Sequence, residues 1–239
     1  MRPDFFAGLA GPVDFYLIRH GQSEGNAEKI LQGRGEYPLS VNGRSQAAER
    51  GRSLKTILAG TPPGQILFFS SPQKRALETA LIIAGEAGLP EPVRDDDLME
   101  MRLGVWTGKT WDQVKNDDPA LWADFMAHSW DAIPQAESSA SLYRRALRAW
   151  AALRDAASAH KASKVIAVTH GGLIQWFIKN TLQCRNWFPL FPIANCGLFK
   201  LCVQPRPGEQ NAYMCWEEIN TIAAGRKAEP KVPGSGFPS

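Results

Sequence analysis

Three short apolar runs, well separated along the chain, give the first structural signal. Val13 to Arg19 (VDFYLIR) is dense in β-branched and aromatic residues and ends at His20-Gly21, the pattern of a buried strand opening into a loop. Gln65 to Ser71 (QILFFSS) is a second such run and stops at Pro72; the third, Lys164 to Gly172 (KVIAVTHGG), again ends in His-Gly. Between and after these runs the period changes. SVNGRSQAAERGRSLKTILAG predicts a helix capped by Ser40 or Asn42, and QKRALETALIIAGEAG keeps helical spacing until Gly85 to Gly88 end it. A long helix is expected from about Ser139 to His160, and LIQWFIKNTL continues helically after Gly172. Strands alternating with helices of about ten or more residues imply a mainly parallel sheet covered on both faces, with right-handed crossovers. The expected fold class is α/β, a three-layer α/β/α arrangement around a mainly parallel central sheet. Gly197 to Val203 and Ala212 to Glu218 predict a hairpin near the end, added as antiparallel edge strands.

The stretch from Gly104 to Ser138 is irregular, with Trp106, Trp111, Trp122 and Trp130 spaced through it, and is expected to form a partly helical cap over the active site at one end of the sheet. No repeat or Ser/Gly linker interrupts the chain, so residues 1–224 are read as a single domain, and the proline- and glycine-rich residues 225–239 as a disordered tail. The length, 239 residues, suits one large domain. With 44% hydrophobic and 21% charged residues, collagen-like, coiled-coil and wholly disordered readings drop out. No apolar run nears the roughly 18–20 residues that would cross a bilayer, and the broken apolar start makes a poor signal peptide, so a cytoplasmic protein without a membrane partner is expected. The net charge is +3, with 27 basic residues spread along the chain, so nucleic acid is not the expected partner either. Cys184, Cys196, Cys202 and Cys215 lack the spacing of a zinc or redox pair and are read as buried free thiols; the 8 tryptophans are read mainly as core filling.

Ligands of open α/β sheets lie beyond the carboxyl ends of the strands. There the first run gives Arg19, His20, Gly21 and, a turn later, Asn26; the second gives Ser70, Ser71 and Arg75; the third gives His170, Gly171 and Gly172. Of the chain's 4 histidines, two stand in the same setting, after a buried strand and before glycine. Two converging guanidinium forks fit the oxygens of a phosphate dianion, and helix starts after Ser71 and Gly172 are expected to add backbone donors. Glycine after each histidine is expected to let a ligand approach the backbone, leaving one histidine free to act as nucleophile. Each residue alone has a plainer reading: a strand-end histidine as a hydrogen-bonded core residue, Arg19 in a surface ion pair, Arg75 on a solvated helix face. The phosphate reading rests on their convergence. His128 and His160 have no such setting, and Asp95-Asp96-Asp97 is read as a solvated turn, with no metal expected.

LIRHGQSEGN at Leu17 to Asn26 resembles the RHG signature of the histidine phosphatase superfamily, the phosphoglycerate mutase-like family. QGRGEYPLSVNGRSQA at Gln32 to Ala47 is similar to the segment that follows it, SSPQKRALETA at Ser70 to Ala80 to the second arginine motif, LMEMRLGVWTG at Leu98 to Gly108 to the motif bearing the acid, and VTHGG at Val168 to Gly172 to the second histidine motif. The resemblance implies a phosphoglycerate mutase-like fold. It further implies His20 as the phosphate-accepting nucleophile, Arg19, Arg75 and His170 as the clamp on phosphoryl oxygens, and Glu100 as the proton donor. Asn26, Gln32, Gly33 and Gly171 would be further substrate contacts, and no cofactor or metal is implied. In the mutases the acid is followed by Arg and Tyr, with a later Lys, which help hold a substrate carboxylate; Met101, Leu103 and Trp111 stand there instead. Thr107 replaces an acidic residue frequent in the phosphatase branch, while AESSASLYRR at Ala136 to Arg145 resembles that branch's next helix start. The favoured expectation is a phosphomonoesterase acting on a small-molecule phosphate ester or a phosphoprotein. Mutase-type phosphoryl transfer and a catalytically idle binding module are the alternatives, with a homo-oligomer left open.

Overall fold

The computed structural model describes residues 1, 4–206, 209 and 211–223. In chain order its elements are β1 (Val13–Arg19), α1 (Glu24–Ala27), α2 (Val41–Ile57), β2 (Ile66–Ser70), α3 (Lys74–Ala87), β3 (Val93–Arg94), α4 (Trp111–Asp117), α5 (Pro119–His128), α6 (Ser139–His160), β4 (Lys164–Thr169), α7 (Gly171–Thr181), β5 (Leu198–Pro205) and β6 (Ala212–Thr221). The six strands form one sheet in the order β3-β2-β4-β1-β5-β6. β3, β2, β4 and β1 are parallel, whereas β5 runs antiparallel to β1 and β6 antiparallel to β5. The expected hairpin is present, but of its two strands β6 lies at a sheet edge and β5 does not. β5 is interior because it supplies the partner for β1 on the side away from β4. The residues expected to form a disordered tail lie outside the described residues.

Strand residues alternate between two cores, as the period of two requires. Phe15 and Leu17 of β1 and Val165 and Ala167 of β4 face a large core containing Leu142, Ala149, Trp150 and Leu153 of α6 and Leu173 and Phe177 of α7. Tyr16, Ile18, Ile166 and Val168 face the other way, onto Leu54 of α2 and Ala76, Ala80 and Ile83 of α3. Helix ends follow their local chemistry. Ser40, rather than Asn42, caps α2 by accepting from the Gly43 N–H at 3.1 Å, and Gly88 ends α3 in the left-handed region at φ +72.

The tryptophan-rich stretch packs into an aromatic cluster: the Trp106 ring centre lies 5.0 Å from Phe125 and 5.7 Å from Trp130. Trp106, Trp130, Trp150 and Trp176 are buried, in line with core filling, and the other four are half-buried. The cysteines correct the reading of uniformly buried thiols: Cys196 and Cys202 are buried, but Cys184 and Cys215 are half-exposed, the first just past α7 and the second on edge strand β6.

Strand order sets the site. β1 and β4 are adjacent and in register, with Arg19 opposite Thr169, so the loops that follow them leave the same edge side by side. The His20 N–H donates to the Thr169 carbonyl at 2.9 Å, and the Ser71 N–H, beyond the end of β2, donates to the Val168 carbonyl at 2.9 Å.

Candidate active site

His20 and His170 are buried with ring centres 5.1 Å apart. The hydrogen bonds of His20 define its tautomer. Nδ1 lies 2.7 Å from the Gly21 carbonyl, which can only accept, so Nδ1 carries the proton. Arg75 Nε, which can only donate, points at His20 Nε2 at 3.2 Å, so Nε2 presents its lone pair. Burial first, then the charges of Arg75 and Arg19, hold the His20 pKa well below the usual histidine value, which keeps the ring neutral. Burial also leads for His170, followed by Arg75, and lowers its pKa well below 6.5.

The three nitrogens of Arg75 are all anchored. Nη2 donates to the Gly33 carbonyl at 2.8 Å, Nη1 to the Gly35 carbonyl at 2.9 Å, and Nε to His20. Burial brings its pKa down to about 10, so it stays cationic at neutral pH. Arg19 Nη1 donates to the Ile193 carbonyl at 2.6 Å. Arg19 Nε and His170 Nδ1 are buried polar atoms without a hydrogen-bond partner among the described residues. A buried unsatisfied polar group costs about 1–3 kcal/mol, so such groups in a cluster of two arginines and two histidines are fitted to hold an anion. His170 Nε2 lies 2.8 Å from Ser71 Oγ. With that hydroxyl donating to Nε2, the proton sits on Nδ1, where it can be given to an oxyanion.

Glu100 lies in the loop before Gly104, half-buried, and its carboxylate reaches the start of α7. Oε2 accepts from the Gly172 N–H at 3.1 Å and Oε1 from the Met101 N–H at 2.9 Å. This changes one expectation. The Gly172 donor, expected to face the phosphate, is engaged by Glu100 instead. The same holds at α3, which starts at Lys74 rather than just after Ser71: the Lys74 N–H donates to Glu36 Oε2 at 2.9 Å and the Gln73 N–H to Ser71 Oγ at 3.3 Å. Carboxylate and hydroxyl acceptors satisfy the orphan amides that open a helix.

The glycine after His20 has a packing reason of its own. A Cβ on Gly21 would lie 2.5 Å from the Gly43 carbonyl oxygen, so the glycine permits close packing of this loop on α2. Gly171 does lie beside the anion groups, since a Cβ there would be 3.5 Å from Arg19 Nε. Gly33, at φ +49, supplies the carbonyl that holds Arg75. Asn26 Oδ1 accepts from the Ser23 N–H at 3.2 Å and from Asn195 Nδ2 at 3.3 Å; Gln32 Oε1 accepts from Ser23 Oγ at 2.8 Å. The strand-end residues and Glu100 therefore come together, with Asn26 on α1 joined to them through Asn195, Gly33 through Arg75, and Gln32 through Ser23 at the start of α1.

Three residues of the site carried no sequence signal. Thr79, fully buried, accepts from the Gly21 N–H at 3.0 Å and donates to the Arg75 carbonyl at 2.7 Å, tying the loop that follows His20 to α3, the helix of Arg75. Gln73 donates to the Gly33 carbonyl at 3.3 Å and accepts from the Glu100 N–H at 2.6 Å. Asn195 donates to the His20 carbonyl at 3.1 Å. Asp97 pairs with Arg148 at 2.8 Å, and among the described residues no group of three or more His, Cys, Asp or Glu comes together as a metal site. His128 and His160 are exposed at helix ends. Among the described residues no helix is long and apolar enough to cross a membrane.

The family model of the histidine phosphatase superfamily (branch 1) matches residues 15–214. Phosphoglycerate mutase-like protein 4 of Arabidopsis thaliana is 34% identical over 168 residues, 68% of each chain. The metal-independent phosphoserine phosphatase of the same plant is 32% identical over 164 residues, 68% of this chain and 66% of the relative. The solved structure of a mycobacterial glucosyl-3-phosphoglycerate phosphatase superposes with a TM-score of 0.72 at 25% identity, covering 88% of this chain and 99% of the other.

Proposed function

We propose that this chain, which belongs to branch 1 of the histidine phosphatase superfamily and is a phosphomonoesterase, works through a phosphohistidine formed on His20. The observation that carries this reading is the state of His20: a neutral ring whose proton is committed to Gly21 and whose Nε2 lone pair faces a cationic arginine.

Nε2 attacks phosphorus in line with the leaving oxygen. Arg19, Arg75 and His170 bear on the equatorial oxygens, where negative charge must be stabilised, and the buried Arg19 Nε and His170 Nδ1 are the natural donors for them. The Arg75 Nε–H that lies on Nε2 is displaced onto a phosphoryl oxygen, which frees the lone pair as the substrate enters. Glu100 gives its proton to the departing alkoxide oxygen, so the alcohol leaves neutral and the phosphoryl group stays on Nε2. Glu100, now a carboxylate, takes a proton from the attacking water. Phosphate then leaves, and Nε2 regains its lone pair. Asn26, Gln32, Gly33 and Gly171 complete the phosphate and leaving-group contacts, with residues 104–138 as the cap.

Hydrolysis is favoured over mutase-type transfer by Met101 and Leu103, whose side chains are buried in the large core and offer nothing to a substrate carboxylate. The free thiols suit the reducing cytoplasm expected for the chain. The test is release of inorganic phosphate from a panel of alkyl phosphates that includes phosphoserine and glucosyl-3-phosphoglycerate, with and without a bisphosphorylated primer. Primer-independent release supports hydrolysis; primer-dependent isomerisation without release would overturn it.

A further inference from the structure

The loop that carries Glu100 belongs to neither the sheet nor an α-helix, so its backbone groups must find partners elsewhere. Besides Gln73, which accepts from the Glu100 N–H, two buried side chains that follow the tryptophan cluster in the chain, Glu137 and Arg145, supply them on either side of Glu100. Arg145, buried on α6 along a face otherwise lined by Leu142, Ala146 and Ala149, donates through Nη1 to the carbonyls of Asp97 at 2.9 Å and Met99 at 2.6 Å. Its Nε and Nη2 form a fork on Glu137, with distances of 2.8 Å to Oε1 and 2.9 Å to Oε2. Glu137, equally buried, accepts from the Arg102 N–H at 3.4 Å, and its own N–H donates to the Arg102 carbonyl at 2.9 Å. Arg34 Nε adds a bond to the Glu100 carbonyl at 3.2 Å, with its Nη2 4.0 Å from Glu137.

A buried ion pair is a poor device for stability alone, because an apolar pair of similar volume often does as well or better. What this pair does that an apolar one could not is hold the backbone on both sides of Glu100. We propose that Arg145 and Glu137 are positioning residues for the Glu100 carboxylate, fixing the loop so that the carboxyl group meets the leaving-group oxygen. This rests on the reading of Glu100 as the proton donor. Lysine at 145 would keep the charge but, with one nitrogen, could not hold Glu137 and two carbonyls together.

A group that acts only through Glu100 must share its dependence on the leaving group. Single-turnover phosphoenzyme formation is therefore measured for Arg145→Lys, Glu100→Gln and the double variant, using an alkyl phosphate and p-nitrophenyl phosphate, whose phenolate departs without a proton. Displacing a catalytic group by about 1 Å costs on the order of 10²-fold, so Arg145→Lys should slow the alkyl ester by about 10–100-fold while p-nitrophenyl phosphate changes by less than about three-fold. Vanadate inhibition should be unchanged, and the double variant should be no slower on the alkyl ester than Glu100→Gln. Equal loss on both substrates for Arg145→Lys, or additive loss in the double variant, would overturn the proposal while leaving Glu100 in its role. A Glu100→Gln enzyme that itself fails to discriminate removes the acid assignment, and the proposal with it. Should Arg145→Lys not fold, Arg34→Ala, at a half-exposed position, is read the same way: a smaller selective loss supports the brace and an unselective one overturns it.

Discussion

Gly172→Ala places a methyl group where the carboxylate of Glu100 now lies. An ideal Cβ there would be 2.4 Å from Glu100 Oε1, 3.0 Å from Met101 Sδ and 3.1 Å from Met101 Cγ. All three are side-chain atoms, so the strain is relieved by moving side chains rather than the backbone, and the position does not have a positive φ that alanine would resist. Restoring ordinary contact from 3.4 Å outward requires Oε1 to retreat by about 1 Å, and a misplacement of that size costs roughly 10²-fold, or about 2.7 kcal/mol of transition-state stabilisation. Alanine in a helix is favoured over glycine by up to about 1 kcal/mol, so the melting temperature should move little. The assay is rapid-quench phosphoenzyme formation with an alkyl phosphate, beside thermal unfolding of the same preparation. About a hundredfold slowing with near-native stability is expected. An unchanged alkyl-ester rate, or a loss that tracks a lowered melting temperature, would refute the placement of Glu100 against the start of α7.

Arg19→Ala should cost about 3–4 kcal/mol in kcat/KM, the usual loss of one strong oxyanion donor, and weaken vanadate inhibition in parallel; inhibition constants for both enzymes check this. Acid stability should follow the two buried rings, both held well below 6.5 by burial and then by Arg75. As pH falls below about 6.5 the unfolded chain binds protons that the folded chain does not, so stability declines by up to about 1.4 kcal/mol per pH unit for each ring and is insensitive to them at higher pH. Urea unfolding between pH 7.5 and pH 5.5 measures it, and His170→Gln should make the slope shallower. Thr79→Ala leaves the Gly21 N–H buried without its acceptor and should destabilise by about 1–3 kcal/mol in denaturant unfolding, with Thr79→Ser recovering much of the loss.

The strands that build the candidate site were legible because burial on both faces writes a continuous apolar run, and each run stopped where a candidate residue began, at Arg19-His20, Ser71 and His170. Arg75 was legible from its place just after a strand. Hydrogen bonds across the fold were not. Glu137 and Arg145 are polar residues of kinds usually found at a surface, and nothing in the sequence shows that both are buried or that they reach back to residues 97 to 102. Thr79 and Gln73 were hidden for the same reason, since helical spacing reports which face is covered and not which atom a hydroxyl or amide meets. Gly21 shows the converse limit: the sequence places it beside His20 but does not show that the neighbouring helix passes close behind it. β3, only two residues long, carries too few positions to show a period.

Acid quenching of the enzyme during turnover of a phosphate-labelled ester, followed by peptide mapping, tests the covalent route on His20 most directly. The native chain should carry an acid-labile, base-stable phosphoryl group on the peptide containing His20, and His20→Ala should carry none and release no phosphate. Label on Ser71 or a cysteine, or continued turnover by His20→Ala, would contradict it.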